Sequence, residues 1–290
     1  MISRSWTRAR LRMWSRIASV VVLMLAPAQR LVAQVCRPST SSNEARTFAI
    51  LSVPLAFGPL LAPESRPRFE AGLEGTYLPR IPRARATPTT CQPGKGPEDT
   101  EFLFAVPRPR VGVPLPLGLA LQASWVPPVR VAGVRANLFG VSLARSFALR
   151  SLVGSLRAHG TFGSIQAPIT CNQAELADPA SECFGGTRSD DSFSPNIVGA
   201  DASLGGTLFG GRLRPYVGGG YNRLQPRFRV NFTNRFGGVD RTRVEVNLDR
   251  AVVFGGATWQ LADHYTTTAE VYAAPGDATT VRLAIRAVRP

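Results

Sequence analysis

The chain is poor in the residues that most often mark chemistry. It has two histidines, His159 and His264, and one lysine, Lys95. Its four cysteines include no Cys-x-x-Cys pair. A metal centre needs clustered His or Cys ligands at short spacing, so no metal site is expected, and no cofactor motif is present. Long apolar runs are missing too. Ile17–Ala28, IASVVVLMLAPA, is an apolar run of 12 residues, short of the roughly 20 that a membrane-spanning helix requires. Acidic residues are scarce: 19 Asp and Glu stand against 34 Lys and Arg, a net charge of +15. The arginines are scattered singly among apolar residues, with no nucleic-acid-binding motif. Nucleic acid is therefore not an expected partner. Anionic lipid headgroups and lipopolysaccharide phosphates suit such a chain better.

What is present begins with a leader. Arg4, Arg8, Arg10, Arg12 and Arg16 precede the apolar run, and Leu31-Val32-Ala33 supplies small residues near a cleavage point. That order predicts a secretory signal peptide over residues 1–33. Export makes disulfides available. Cys171 and Cys183 enclose a short polar stretch and would form a local staple, which leaves Cys36 and Cys91. Three pairings are open on the sequence alone. Residues 34–66 read as an N-terminal extension, plug-like or partly disordered. They contain the apolar run Phe48–Leu61, where Pro54 and Pro59 argue against a regular helix.

From residue 67 to 290 the chain alternates with a period of two. Phe69, Ala71, Leu73, Gly75 and Tyr77 oppose Glu70, Gly72, Glu74 and Thr76. Leu117, Leu119, Leu121, Ala123 and Trp125 oppose Gly118, Ala120, Gln122 and Ser124. Alternation of this kind marks strands with two different environments. Ten strands are predicted, at about 69–78, 101–110, 117–126, 136–147, 151–163, 196–209, 213–222, 242–260, 264–274 and 279–288. Their connections alternate between long and short. Even strand number, strands of roughly ten residues and loops sorted by parity are the marks of a transmembrane barrel. The expected fold is all-β: an antiparallel up-and-down transmembrane β-barrel of about ten strands, with eight and twelve as the neighbouring even counts.

The run Leu213–Tyr221, LRPYVGGGY, places Pro-Tyr ahead of glycine-rich alternation. Together with the leader and the loop parity it resembles strands of small bacterial outer-membrane β-barrels, porin-like or outer-membrane-protein-A-like. The resemblance covers residues 69–290 and is architectural. It implies residence in the bacterial outer membrane, with outer-membrane lipid and lipopolysaccharide as partners, and it transfers no specific activity.

Strand parity directs Glu70, Glu74, Arg157, His159, Asp201, Glu270, Arg282 and Arg286 into the lumen. Closure brings the last strand beside the first. Arg282 and Arg286 would then lie between Glu70 and Glu74 on one side and Glu270 on the other, an ion-pair network at the closure seam. His159 with Asp201, Glu74 or Ser155 could form a hydrolytic set, but no motif supports it, and no catalytic residue is assigned. Pro226–Arg243 and the Cys171–Cys183 loop are expected as solvated loops able to meet an external ligand. The expected function is non-enzymatic: a structural, surface-interaction or narrow-pore role. The alternatives are a barrel-based lipid hydrolase and a soluble exported β-barrel binder. The soluble form would place Leu117, Leu119, Leu121 and Trp125 inside.

Overall fold

The computed structural model describes residues 34–92, 96–100, 104–131 and 133–289. The signal-peptide reading falls on residues 1–33, outside the described residues. Ten antiparallel strands form a closed wall: β1 (Phe69–Tyr77), β2 (Ala105–Leu115), β3 (Leu119–Val126), β4 (Val134–Leu149), β5 (Leu152–Ala167), β6 (Ile197–Gly205), β7 (Leu213–Leu224), β8 (Leu248–Ala262), β9 (Tyr265–Ala274) and β10 (Ala278–Arg289). Each pairs with the next in sequence, and β10 returns to β1, with Arg289 opposite Phe69 and Arg282 opposite Thr76. Closure gives each of the ten wall strands a partner on both sides over at least part of its length.

The exterior explains the alternation. Leu73, Val111, Leu121, Val141, Leu143, Leu156, Val217, Val253, Val271, Leu283 and Ile285 all point outward and are exposed. Two rings of outward aromatics bound this aliphatic band. Tyr77, Trp125, Phe139, Phe162 and Tyr221 lie toward the long-loop rim. Phe69, Phe147, Trp259 and Tyr265 lie toward the short-turn rim. Trp125 stacks on Phe139 at 5.9 Å, and its indole N–H donates to Asn137 Oδ1 at 3.0 Å. An apolar band between two aromatic girdles is the surface of a barrel that faces lipid. Leu117, Leu121 and Trp125 stand on that surface, which opposes the soluble-binder arrangement.

Two strands depart from their predicted bounds by five residues or more at one end, each for a local reason. β2 starts four residues later than expected, ends five later and runs straight through Pro107 and Pro109. Its pairing with β3 begins only at Arg110, so residues 105–109 have a partner on the β1 side alone. A proline, lacking an N–H, is tolerated on such an unpaired flank. β8 begins at Leu248, because Arg243–Glu245 leaves the wall to join a small sheet extension above the rim.

That sheet roofs the long-loop rim. Val35–Cys36 pairs with Arg243–Val244, Arg243–Glu245 with Arg227–Arg229, and Arg227–Arg229 with Ser192–Ser194. Asp191–Phe193 joins the upper end of β5. Beneath it lies helix α1 (Asn43–Ser52), capped by the Ser42 side chain, which accepts from Ala45 N at 3.1 Å. The expectation of no regular helix in residues 48–61 is corrected here. Pro54 does forbid continuation, but only its own N–H and the preceding turn are affected, so Phe48–Ser52 finish a helix that began earlier. The Phe48 ring lies 5.7 Å from Phe193 and 5.9 Å from Phe228. Phe228, Val230, Phe232 and Val244 are all buried in this roof. The segment Pro226–Arg243 is therefore not a solvated loop. Its apolar residues alternate with the arginines and form the inner face of a sheet. Phe236 and Val239, toward its tip, are exposed instead.

Candidate functional site

The lumen is the site, and the chain's own extension occupies it. From Cys36 at the long-loop rim, residues 43–62 descend inside the wall and emerge at the short-turn rim to enter β1. The Val53–Leu55 turn and residues 56–62 are buried throughout, apart from half-buried Leu61. Below the turn this stretch forms neither helix nor strand, so most of its carbonyls lack backbone partners. Burying them bare would be costly.

The wall supplies the missing donors. Arg108 Nη2 donates to Leu55 O (3.2 Å), Arg110 Nη2 to Gly58 O (2.6 Å) and Arg157 Nη1 to Phe57 O (2.6 Å). Arg282 Nη2 reaches Ala56 O (3.0 Å), Pro54 O (3.3 Å) and Val53 O (3.4 Å). Arg286 Nη2 donates to Leu60 O, and Thr161 Oγ1 donates to Leu55 O at 3.1 Å. In return, Leu60 N donates to Glu270 Oε2 (2.9 Å) and Ala62 N to Thr258 Oγ1 (3.2 Å). The Phe57 ring fills the centre, 4.0 Å from the Arg110 guanidinium.

Four of these arginines also have a carboxylate partner, since a buried unpaired ion is strongly unfavourable. Arg282 Nη1 lies 3.3 Å from Glu270, Arg286 Nη1 3.0 Å from Glu70, and Arg110 Nη1 3.2 Å from Glu74. Arg157 grips both oxygens of Asp201, with its Nε at 3.2 Å from Oδ1. The seam residues are thus in the lumen, but the grouping differs from the expected one. Glu74 pairs with Arg110 of β2 and not with Arg282 or Arg286. Sequence reading omitted Arg108 and Arg110, because the adjacent prolines obscured the strand. The signal was there: Val106, Arg108 and Arg110 alternate with Pro107, Pro109 and Val111. Tyr216 and Tyr272 complete the polar set, the first donating to Glu270 Oε2 at 2.9 Å, the second accepting from Asn222 Nδ2 at 2.7 Å.

His159 is buried on β5, with Nε2 3.4 Å from Asp201 Oδ2 and neither ring nitrogen hydrogen-bonded. Asp201 is committed to Arg157. Ser155, four residues from His159, is a full strand pitch of roughly 13 Å away at about 3.3 Å per residue. A nucleophile, base and orienter are not brought together here.

The cysteines tie down the roof. Cys36 bonds Cys91, and Cys171 bonds Cys183. Beside the first bond, the Glu44 carboxylate accepts from three successive backbone N–H groups, Thr89 (3.0 Å), Thr90 (2.7 Å) and Cys91 (2.9 Å). Burial pushes the Glu44 carboxyl up, but these bonds together outweigh it and hold it below 4.5. Asp191, fully buried, accepts from Thr170 N, Ser189 Oγ and Asn231 N. There burial wins over the three bonds, and its carboxyl is raised above 3.8.

The closed wall, the lipid-facing band and the sorting of long and short connections decide the class. The chain is a ten-stranded transmembrane β-barrel. No protein-family model matches it, and no curated protein matches it in sequence. Among solved structures it is similar to a loop-deletion mutant of OmpT, an outer membrane protein of Vibrio cholerae (11% identity, 64% of this chain and 54% of that one, TM-score 0.26). It is also similar to the Ralstonia pickettii toluene transporter TbuX (10% identity, 83% and 73%, TM-score 0.33) and to Neisserial surface protein A (8% identity, 77% and 99%, TM-score 0.28). The barrel spans about half the length of the first. Superpositions this loose carry nothing about what the protein does.

Proposed function

We propose that this protein is a non-enzymatic structural barrel of the outer membrane, stoppered by its own N-terminal segment and presenting a roofed, disulfide-tied face outward. The observation that carries the reading is the seating of residues 53–62. Five wall arginines donate to their carbonyls, so opening a path would break all of these bonds at once. Net contributions of about 1.5–3 kcal/mol for each hydrogen bond to a charged group make spontaneous opening rare. The non-enzymatic part is supported by the commitment of Asp201 to Arg157, which leaves His159 without an orienting partner. For partners, exposed Arg80, Arg83, Arg188, Arg235 and Arg241 on the roofed rim suit the phosphates of lipopolysaccharide.

The test is a planar-bilayer recording with the full chain. The expected result is a silent membrane at 100 mV, with insertion verified by heat-modifiable migration. Sustained stepwise conductance from correctly folded protein refutes the stopper. Hydrolysis of phospholipid by the purified barrel, abolished in His159→Ala, refutes the non-enzymatic reading.

A further inference from the structure

Below the stopper the lumen is not filled. A cavity of about 70 Å³ remains at the short-turn end. One water needs ~10–15 Å³ measured this way, so the space exceeds a single solvent molecule several-fold. Its roof is apolar: Pro59, Leu61 and Pro63 of the stopper. Its wall is polar, and its mouth lies beside Glu64 and Arg68, where the extension leaves the lumen.

The wall has a particular order. Ser146 on β4 stands opposite Ser155 on β5, and Ser155 stands opposite Ser203 on β6. Directly opposed residues are about 5 Å apart, so three hydroxyls form one row roughly 10 Å long. All three belong to the lumen-facing set, and Ser155 is 9% exposed. Among the described residues, none of the three hydroxyls has a protein hydrogen-bond partner. The charges around them, by contrast, are spoken for. Arg157 holds Asp201, Arg286 and Gln122 hold Glu70, and Arg68 and Arg214 hold Glu64. An ion entering this chamber would find no uncompensated charge. A molecule with several neutral hydroxyls would find a row of free hydroxyls on one side and a proline-leucine surface for its C–H face on the other.

We propose that this chamber is a binding site for a small neutral polyol, entered from the short-turn rim and closed at its inner end by the stopper. The site rests on the stoppered-barrel reading. Ligand and wall would exchange hydrogen bonds through Ser155 and Ser203, with the Gln122 amide beside them, and the solute would leave by the way it came.

The experiment is saturation-transfer NMR on the detergent-solubilised full chain with glycerol, erythritol and xylitol, and with acetate and phosphate as charged probes. The expected result is saturable transfer to at least one polyol and none to acetate or phosphate. Binding should weaken at least five-fold in Ser155→Ala/Ser203→Ala. In Ser155→Leu, which fills the chamber, it should vanish while heat-modifiable migration is kept. Absence of saturable transfer to every polyol overturns the proposal. So does equal affinity in the double alanine variant, or a preference for acetate or phosphate. The same preparation in a bilayer separates the two readings. Conductance together with serine-dependent polyol binding overturns the stopper and leaves the site. A silent bilayer with no polyol binding overturns the site alone.

Discussion

Gly58→Ala probes the seat of the stopper with a single methyl group. A Cβ at Gly58 would stand 1.5 Å from Arg282 Nη1, 2.8 Å from its Cζ and 3.1 Å from Glu270 Oε1. The guanidinium cannot simply step aside. It is fully buried, packed 4.1 Å over the Tyr272 ring, bonded to Glu270 and shared among three carbonyls. Overpacking of this kind costs about 1–3 kcal/mol where the surroundings yield. If the guanidinium leaves Glu270 uncompensated, the cost approaches about 3–5 kcal/mol. The extension can relieve either strain by backing out of the lumen. The matched control is Gly75→Ala on the lipid face of β1, where a Cβ meets nothing within 4 Å. Thermal loss of heat-modifiable migration, read for both variants, should show a clear fall in midpoint for Gly58→Ala and little change for Gly75→Ala. Bilayer recordings should show conductance steps in Gly58→Ala alone. Equal midpoints and equal silence in the two variants would refute the close packing of stopper against wall.

Four further outcomes follow from the same contacts. Arg157→Met strands the buried Asp201 and should cost about 3–5 kcal/mol, while Arg157→Met/Asp201→Leu should recover much of it; denaturant titration of the two checks this. Glu44→Gln should loosen the 89–91 loop by about 1.5–3 kcal/mol, read as faster hydrogen exchange at Thr90 and Cys91. The sign with pH is fixed. Because the Glu44 carboxyl lies below its ordinary 4.5, its contribution is present above that value and fades as pH falls through the lowered one. Asp191, raised above 3.8, acts in the opposite sense, strengthening the roof as acid protonates it. Amide protection around Thr170 and Asn231 should therefore survive mild acid better than that around Thr90. Cys171→Ser/Cys183→Ser opens a loop of sequence separation 12 and should cost the roof about 3 kcal/mol, seen as faster proteolysis at 172–182 with barrel migration unchanged.

The wall was legible because period-two alternation is set by the sheet itself, and lipid makes the contrast between faces strong. Leu117–Trp125 and Val281–Ala287 needed no tertiary knowledge to be read. The interior was legible only as parity. That Glu270 belongs in the lumen follows from the strand; that it receives the Leu60 N–H depends on a segment 210 residues away in sequence. The extension misled for a different reason. A proline-bearing apolar run obeys no single period, since Phe48–Ser52 is helix, Val53–Leu55 a tight turn and the remainder neither helix nor strand. The roof was misread because Phe228, Val230 and Phe232 alternate with arginines over too few residues to stand out from a polar loop. The paired glycines of LRPYVGGGY have a plain cause in the lumen. A Cβ at Gly218 would lie 2.5 Å from the Phe254 ring, and one at Gly220 would lie 2.5 Å from Asp201 Cβ.

The near-absence of lysine, the first oddity of the sequence, acquires a physical reason in the lumen. Four of the five wall arginines there, all but Arg108, have two tasks, to neutralise a carboxylate and to donate to a carbonyl of the stopper. Arg282 does both with different nitrogens, Nη1 toward Glu270 and Nη2 toward Val53, Pro54 and Ala56. Arg286 and Arg110 divide their nitrogens the same way. A planar guanidinium spreads five donors in a fixed fork, whereas an ammonium is a compact point charge that desolvates reluctantly. Among the described residues, the fit still leaves Arg108 Nη1 and the Nε atoms of Arg110, Arg282 and Arg286 without partners. An interior chosen for stability alone would be better served by apolar packing than by partly satisfied ions. What the arginines add is recognition of one irregular backbone by its carbonyls, at positions set by the wall. Arg282→Lys should therefore fail to seat the stopper even though it keeps the charge, and Arg282→Lys conducting in a bilayer where wild type is silent is the outcome this account requires.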